Sequence, residues 1–518
     1  MPKLHIKQLT VGKNSYRVEL SLQEESLTPM TVTAKFKFQL SEQDQKDLRW
    51  YLEDYLKFPF EPNPKIAARV EQRMAAIGTE LFKAVFHADE DARDLWAELR
   101  RGLNKTRVEI AVEDVQEATS IPWELLRDPK TDISLALHAQ AFVRTHSNPS
   151  LRAQLPRLAS KDEPIRILLV ICRPREDRDV PFRSVASRLV KGLSQAEREF
   201  FQLEVLRPPT FGELSKVLRA ASDAGKPFHV VHFDGHGTYQ HFSEQVVSSS
   251  VMFGANALLL SPKRDDHKHG YLLFENKTVK ENNQLVDGPA LGKLLVETQV
   301  PVLVLNARRS AHAEVESDAG AWELENSHGQ VRAFGSLAQE VVDTGVAGVV
   351  AMRYNVYAVT AREFVEPLYA ALINGYSLGK AVSLGRKHLR DQPLRAVVTT
   401  PLPLQDWLVP VVYEAAEIHL FPAPVKQQGL RIVLDNKQKG AMAETLANLP
   451  ARPDVGFIGR DETLLALDRS FDRDKMVLLH AYAGSGKTTT AVEFARWYQM
   501  TGGIKGGTVL FTSADTFS

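Results

Sequence analysis

Phe228-His229-Val230-Val231-His232-Phe233-Asp234-Gly235-His236-Gly237 and Pro301-Val302-Leu303-Val304-Leu305-Asn306-Ala307-Arg308-Arg309-Ser310-Ala311 are two strand-to-loop junctions. In each, a short apolar run suited to a buried parallel strand stops at small or polar residues. An open α/β sheet assembles its site at that place, from the carboxyl ends of its strands. His236 between two glycines has the character of a base, and the small-residue loop after the second run is where a nucleophile belongs. Position 308 is arginine. A guanidinium stays protonated and has no lone pair suited to acyl attack.

The surrounding chain repeats the same pattern. Apolar runs at 165–172, 228–233, 302–306 and 346–352 alternate with helical patterns near 183–202, 211–224, 289–298, 336–344 and 361–374. Such alternation predicts an α/β fold with a mostly parallel sheet and helices on both faces. A helix at 377–389 and a strand around 407–413 complete this core, which spans 161–420. An N-terminal α+β module is expected over 1–160. Period-two alternation at 15–22 and 31–38 reads as half-buried strands, Ser41 caps a helix running through Leu52, a second helix covers about 66–86, and 107–112 is another strand. The run Ile121-Pro122-Trp123-Glu124-Leu125-Leu126 reads as a turn whose Trp123 and Leu126 plug a core.

A linker is expected at 421–454, opened by Phe421-Pro422-Ala423-Pro424. Beyond it, an apolar strand at 476–480 leads into Ala481-Tyr482-Ala483-Gly484-Ser485-Gly486-Lys487-Thr488-Thr489, followed by helical composition to 499. This is the pattern of a phosphate-binding loop. Gly484 and Gly486, around Ser485, let backbone N–H groups turn inward on phosphates, Lys487 supplies positive charge, and the Thr488 hydroxyl, beside Thr489 at the helix start, is the magnesium ligand. Ala481 stands where the strict pattern has glycine. The cofactors implied are ATP and Mg2+. With a second strand expected at 507–512, residues 455–518 read as the N-terminal fragment of a P-loop NTPase, which needs further strands and an acidic residue to hydrolyse ATP well.

Composition narrows the partners. Lys+Arg 64 balance Asp+Glu 64, so no global field favours nucleic acid or an anionic membrane. The amino terminus lacks a secretory pattern, and no apolar run approaches the roughly 18 residues that span a bilayer. A single cysteine, Cys172, cannot form an internal disulfide. These features together predict a cytoplasmic protein.

The motifs themselves resemble a known family. His-x-x-Gly-His-Gly at 232–237 and Asn306-Ala307-Arg308-Arg309-Ser310-Ala311 resemble the two catalytic junctions of CHAT domains, bacterial relatives of caspases and separases, in which the second motif reads Asn-Ala-Cys-Arg-Ser-Ala. A Pro-Trp-Glu-Leu-Leu run upstream is similar to one found in many of these proteins. The resemblance covers roughly half the chain and implies a caspase-like cysteine peptidase in which His236 is the base and the amides of Gly237 and of position 308 form the oxyanion pocket. Arg308 stands where the nucleophilic cysteine would be, so the resemblance implies an inactive site in this chain. Ser310 is nearby, but nothing aims it at His236. His232, inside the strand, reads as a packed histidine, and Cys172 as a buried small hydrophobe. Asp234, Asp318 and Glu316 either line a pocket for a basic side chain or are solvated loop acids.

The segment Gly456-Phe457-Ile458-Gly459-Arg460-Asp461-Glu462 ahead of the phosphate loop resembles the STAND signalling ATPases, in which nucleotide exchange drives oligomerisation. By these resemblances three functional classes stand open. One is a peptidase effector in bacterial stress or anti-phage signalling, switched by a nucleotide module and acting on a protein or peptide substrate. Another is a pseudopeptidase scaffold, in which Arg308 would hold a carboxylate. The third is a signalling ATPase whose first 420 residues dock protein partners. A regulatory protein partner and a nucleotide-driven homo-oligomer belong to the same expectation.

Overall fold

The computed structural model describes residues 2–23, 30–112, 121–146, 163–174, 201–241, 268–279, 282–309, 335, 337–354, 357–397, 401–421, 449–451, 457, 459–504 and 509–512. Thirteen strands form one sheet. In chain order they are β1 (Lys3–Gly12), β2 (Ser15–Gln23), β3 (Met30–Lys37), β4 (Arg107–Val112), β5 (Ala141–His146), β6 (Ile165–Ile171), β7 (Phe201–Val205), β8 (Val230–His241), β9 (Lys268–Glu275), β10 (Asn283–Asp287), β11 (Val302–Arg309), β12 (Gly348–Met352) and β13 (Pro410–Glu414). The longer helices among the described residues include α1 (Glu42–Glu53), α2 (Asn63–Phe86), α3 (Glu90–Gly102), α4 (Phe211–Asp223), α5 (Gly288–Glu297), α6 (Ala358–Ile373), α7 (Leu378–Asp391), α8 (Asp461–Phe471) and α9 (Lys487–Met500).

The sheet runs β10-β9-β8-β11-β12-β13-β5-β4-β1-β2-β3, with β6 and then β7 added beside the first half of β8. Strands β7, β6, β8, β11 and β12 are mutually parallel, as apolar runs separated by helices require. Both faces of this centre are covered. Val230, Val302, Val304 and Val350 join one hydrophobic cluster, while Val231, Phe233, Leu303, Leu305 and Val349 join the other. Alternate residues of one strand point to opposite faces, so a continuous apolar run fills two cores at once. The fold is therefore α/β with a large, mostly parallel sheet flanked by helices.

The N-terminal module shares this sheet. Antiparallel β13 follows β12, parallel β5 contacts β13 through Tyr413 and Arg144, and β4 and β1 continue outward. Residue 160 thus separates two parts of one sheet. The join is held by buried charge: Arg107 Nη2 donates to Glu414 Oε2 at 2.6 Å. Beside it, the Trp123-Glu124-Leu125 turn is a core plug. Trp123 is fully buried and donates from Nε1 to Gln8 Oε1 at 2.9 Å. Glu124 accepts from Arg144 at 2.9 and 3.0 Å and from Arg353 at 3.3 Å. Burial opposes its charge, but these guanidiniums outweigh burial and lower its pKa to about 2.

Most expected elements form. Ser41 caps α1 in a full capping box with Asp44, and the four apolar runs of the core are strands. Three expectations change. The apolar segment 476–480 is not a strand: Met476 is 87% exposed and Leu478 84%, and no strand among the described residues pairs with them. Of the second strand expected at 507–512, residues 509–512 are likewise unpaired. Of the helix expected at 183–202, Phe201 and Gln202 instead pair with β6 in β7, and residues 183–200 lie outside the described residues. So does most of the linker, at 422–448.

Candidate functional site

The two junctions meet. Strands β8 and β11 are adjacent and parallel, in a register that sets Asp234 against Asn306 and His236 against Arg308. Residues two apart on a strand share a face, so Asp234 and His236 lie on the same side of the sheet as positions 306 and 308. The positions expected to hold base and nucleophile, 236 and 308, are thus lateral neighbours, about 4.8 Å apart in the hydrogen-bonding direction.

The flanks of β8 change hands at this point. Val230–Asp234 pair with β6, and His236–His241 pair with antiparallel β9. Gly235 occupies the handover. A Cβ there would meet Phe233 Cζ at 2.8 Å and Cys172 Cβ at 3.1 Å, so glycine is required by close approach. His236 is buried, 7% exposed. Gly237 pairs with Arg309 on one side and Leu272 on the other. Both Gly237 and Arg308 are therefore strand positions.

Asp234 departs from the sequence expectation. It is neither a solvated loop acid nor part of an open pocket: it is buried within β8 and satisfied by the chain itself. Arg173 Nη2 donates to Asp234 Oδ2 at 2.9 Å and Nη1 to the Asp234 carbonyl at 2.7 Å, while Asn306 Nδ2 donates to Asp234 Oδ1 at 3.1 Å. A buried carboxylate needs such partners. Arg173 and Asn306 were not singled out from sequence; their signal was alternation with His236 and adjacency to a strand end. Asp318, Glu316 and Ser310 lie outside the described residues.

His232 is fully buried, with Nδ1 3.1 Å from the Tyr369 hydroxyl. Burial lowers its pKa to about 4 despite the pull of Asp234, so it is a neutral packed histidine. Cys172 is fully buried at the end of β6, and its Sγ contacts the Pro209 carbonyl at 3.5 Å. Burial, then the Glu275 carboxylate, push its thiol well above the ordinary range, which removes it as a substitute nucleophile.

In the segment 481–489, Gly484 and Gly486 adopt φ of 76° and 79°, a conformation glycine reaches without strain, with nothing close to a Cβ at either. Gly486 is the N-cap of α9, whose first turn carries Lys487, Thr488 and Thr489. The Lys487 ammonium donates to the carbonyls of Ala481 and Tyr482, both at 2.9 Å. Open glycines, an ammonium folded over its own loop and a helix amino end fit a phosphate group. Among the described residues no group of His, Cys, Asp or Glu has the arrangement of a metal site.

The fold is an α/β scaffold with the two quoted junctions on adjacent parallel strands. The model of the CHAT domain matches residues 78–419, well over half of the chain, and the chain belongs to that family. No curated protein matches it. Among solved structures it is similar to the Arg-specific cysteine proteinase gingipain R (RGPB), at 9% identity and TM-score 0.33, covering 69% of this chain and 76% of that one. It is also similar to separase from the Saccharomyces cerevisiae separase–securin complex, at 12% identity and TM-score 0.37, covering 80% of this chain and 30% of that one. Among the described residues no helix is long and apolar enough to cross a membrane.

Proposed function

We propose that this chain is a CHAT-family effector whose peptidase-like site engages a protein or peptide segment without cutting it, under the control of a nucleotide-binding module. One observation carries the reading: the in-register pairing of His236 with Arg308. The base position is retained beside the nucleophile position, but the residue there is a permanent cation. A guanidinium offers five donors and suits a carboxylate in the engaged segment, through charge-assisted hydrogen bonds. The register that sets position 308 beside His236 supports a site that binds a carboxylate there.

The residues from Ala481 to Thr489 support the regulatory half. Lys487 and the Gly484–Gly486 loop would hold the phosphates of ATP, and Thr488 its Mg2+. When bound, the nucleotide supplies binding energy that differs between conformations and thereby shifts their populations. The loop resemblance supports a STAND-type module of this kind, a nucleotide-driven homo-oligomer and a role in bacterial stress or anti-phage signalling.

A mixed peptide library incubated with the chain tests this reading. Mass spectrometry should recover every peptide intact, with peptides carrying carboxylates enriched on the protein and released by Arg308→Ala. Cleavage products from the unmodified chain would reject the reading.

A further inference from the structure

Helix α8 touches both sites. At its amino end Arg460, the N-cap residue, donates from Nη2 to the Ser485 carbonyl in the phosphate loop at 2.6 Å. At its carboxyl end Arg469 enters the edge of the main sheet: Nε and Nη2 donate to the two oxygens of Glu275 at 3.0 and 2.8 Å, and Nη2 also reaches the Ile171 carbonyl at 3.0 Å. Glu275 Oε1 in turn accepts from the Arg173 amide at 2.8 Å, and Arg173 holds Asp234, two residues before His236. On its other side Arg469 pairs with Asp468, which Arg207 ties to the Thr501 hydroxyl just beyond α9.

Asp234, Arg173, Glu275, Arg469, Asp468 and Arg207 alternate in charge, and all but Arg207 are buried. Burial works against the charge of Arg469, but Glu275 and Asp468 outweigh it and raise its pKa. Withdrawing Arg469 leaves the buried Glu275 carboxylate without the guanidinium that both its oxygens accept from, which is strongly unfavourable, and Glu275 in turn is tied to the backbone amide of Arg173. A helix of 11 residues spans about 16 Å. Its amino end thus sits on the loop and its carboxyl end on Glu275.

We propose that α8 couples the phosphate loop to the candidate site, with Arg460 reading the loop through Ser485 and Arg469 holding Asp234 in place through Glu275 and Arg173. What drives the helix rests on the nucleotide reading above; the hold of Arg469 on the site does not.

The test uses the full chain carrying Arg308→Cys, whose introduced thiol reports the geometry beside His236. Its alkylation rate, resolved from Cys172 by peptide mapping, is measured with and without Arg469→Met, each with and without ATP and magnesium. The expected result is a change of at least about fivefold at position 308 on Arg469→Met, together with a nucleotide effect present in the parent and absent in Arg469→Met. An unchanged rate on Arg469→Met, or a nucleotide effect of equal size in both chains, overturns the proposal. If calorimetry shows no nucleotide binding while the Arg469→Met change persists, the nucleotide reading fails and the hold of Arg469 stands. Glu275→Gln serves as the second variant. It should give the same change, and the pair Arg469→Met with Glu275→Gln no more than either alone; additive effects would contradict a single chain. Circular dichroism melts establish that each variant is folded at the assay temperature.

Discussion

Asn306 donates its side-chain amide to Asp234 across β8 and β11 at 3.1 Å, one face-sharing step before His236 meets Arg308 in the same ladder. The pair fixes strand register directly behind the candidate site. Its two members differ in what their removal exposes. Asp234→Ala takes from the buried Arg173 guanidinium its carboxylate partner, leaving it the carbonyls of residues 172 and 234, and should cost about 3–5 kcal/mol. Asn306→Ala leaves Asp234 still held by Arg173 and should cost only about 1–2 kcal/mol. Urea unfolding of both variants checks the ordering; equal losses would mean that Arg173 does not depend on Asp234.

Gly235→Ala places a methyl against the buried Phe233 ring at 2.8 Å and Cys172 Cβ at 3.1 Å. Phe233 also packs on Phe274, with ring centroids 5.2 Å apart, so the ring cannot swing away. Destabilisation of about 1–3 kcal/mol is expected from overpacking. A thermal melt unchanged from the parent would show that the β6–β9 handover is looser than described.

The buried His232 makes stability depend on pH in a defined window. Its folded pKa is lowered from 6.5 to about 4, so between those values the unfolded chain binds the extra proton and the fold does not. Stability contributed by the neutral ring is complete above pH 6.5 and is lost as pH falls towards about 4, by about 1.4 kcal/mol per pH unit. His232→Gln removes this slope. Burial also lowers the His87 pKa, so urea midpoints of the variant should decline less steeply from pH 7 to 5 than those of the parent; parallel declines would place the titrating group elsewhere.

How much of this was legible follows from the kind of signal each element carries. Strands β8 and β11 announce themselves because a strand buried on both faces must be apolar throughout, and a parallel unit of alternating strands and helices brings their carboxyl ends together. Strands β9 and β10, which border the site, were not foreseen. His269-Gly270-Tyr271-Leu272-Leu273-Phe274-Glu275 is apolar at its centre, but no turn signal marked its start. The same holds for β5, whose Ala141-Phe142-Val143-Arg144 carries an arginine that only its tertiary partner Glu124 explains. Segment 476–480 shows the converse failure. Its composition suits a strand, but a strand exists only when a neighbour pairs with it, and no residue-level signal states whether that neighbour is present. Asp234 was misjudged for a related reason: acids are seldom fully buried unless paired, and Arg173 is distant in sequence.

Lys487→Ala removes the ammonium that caps the Ala481 and Tyr482 carbonyls and would face phosphate. Calorimetry with ATP and magnesium should show binding by the parent and none by the variant. Equal heats from both would show that this loop is not the phosphate site.

The most direct measurement concerns position 308. In the register observed, Arg308→Cys places a thiol on the strand beside His236, on the same face of the sheet. A neighbouring imidazole favours the thiolate, so the introduced thiol should alkylate far faster than the buried Cys172, and the faster rate should vanish when His236→Ala is added. Peptide cleavage gained with Arg308→Cys and lost with His236→Ala would establish that the chain is a CHAT peptidase scaffold lacking only its nucleophile. An introduced thiol whose reactivity is indifferent to His236, with or without ATP, would contradict the account.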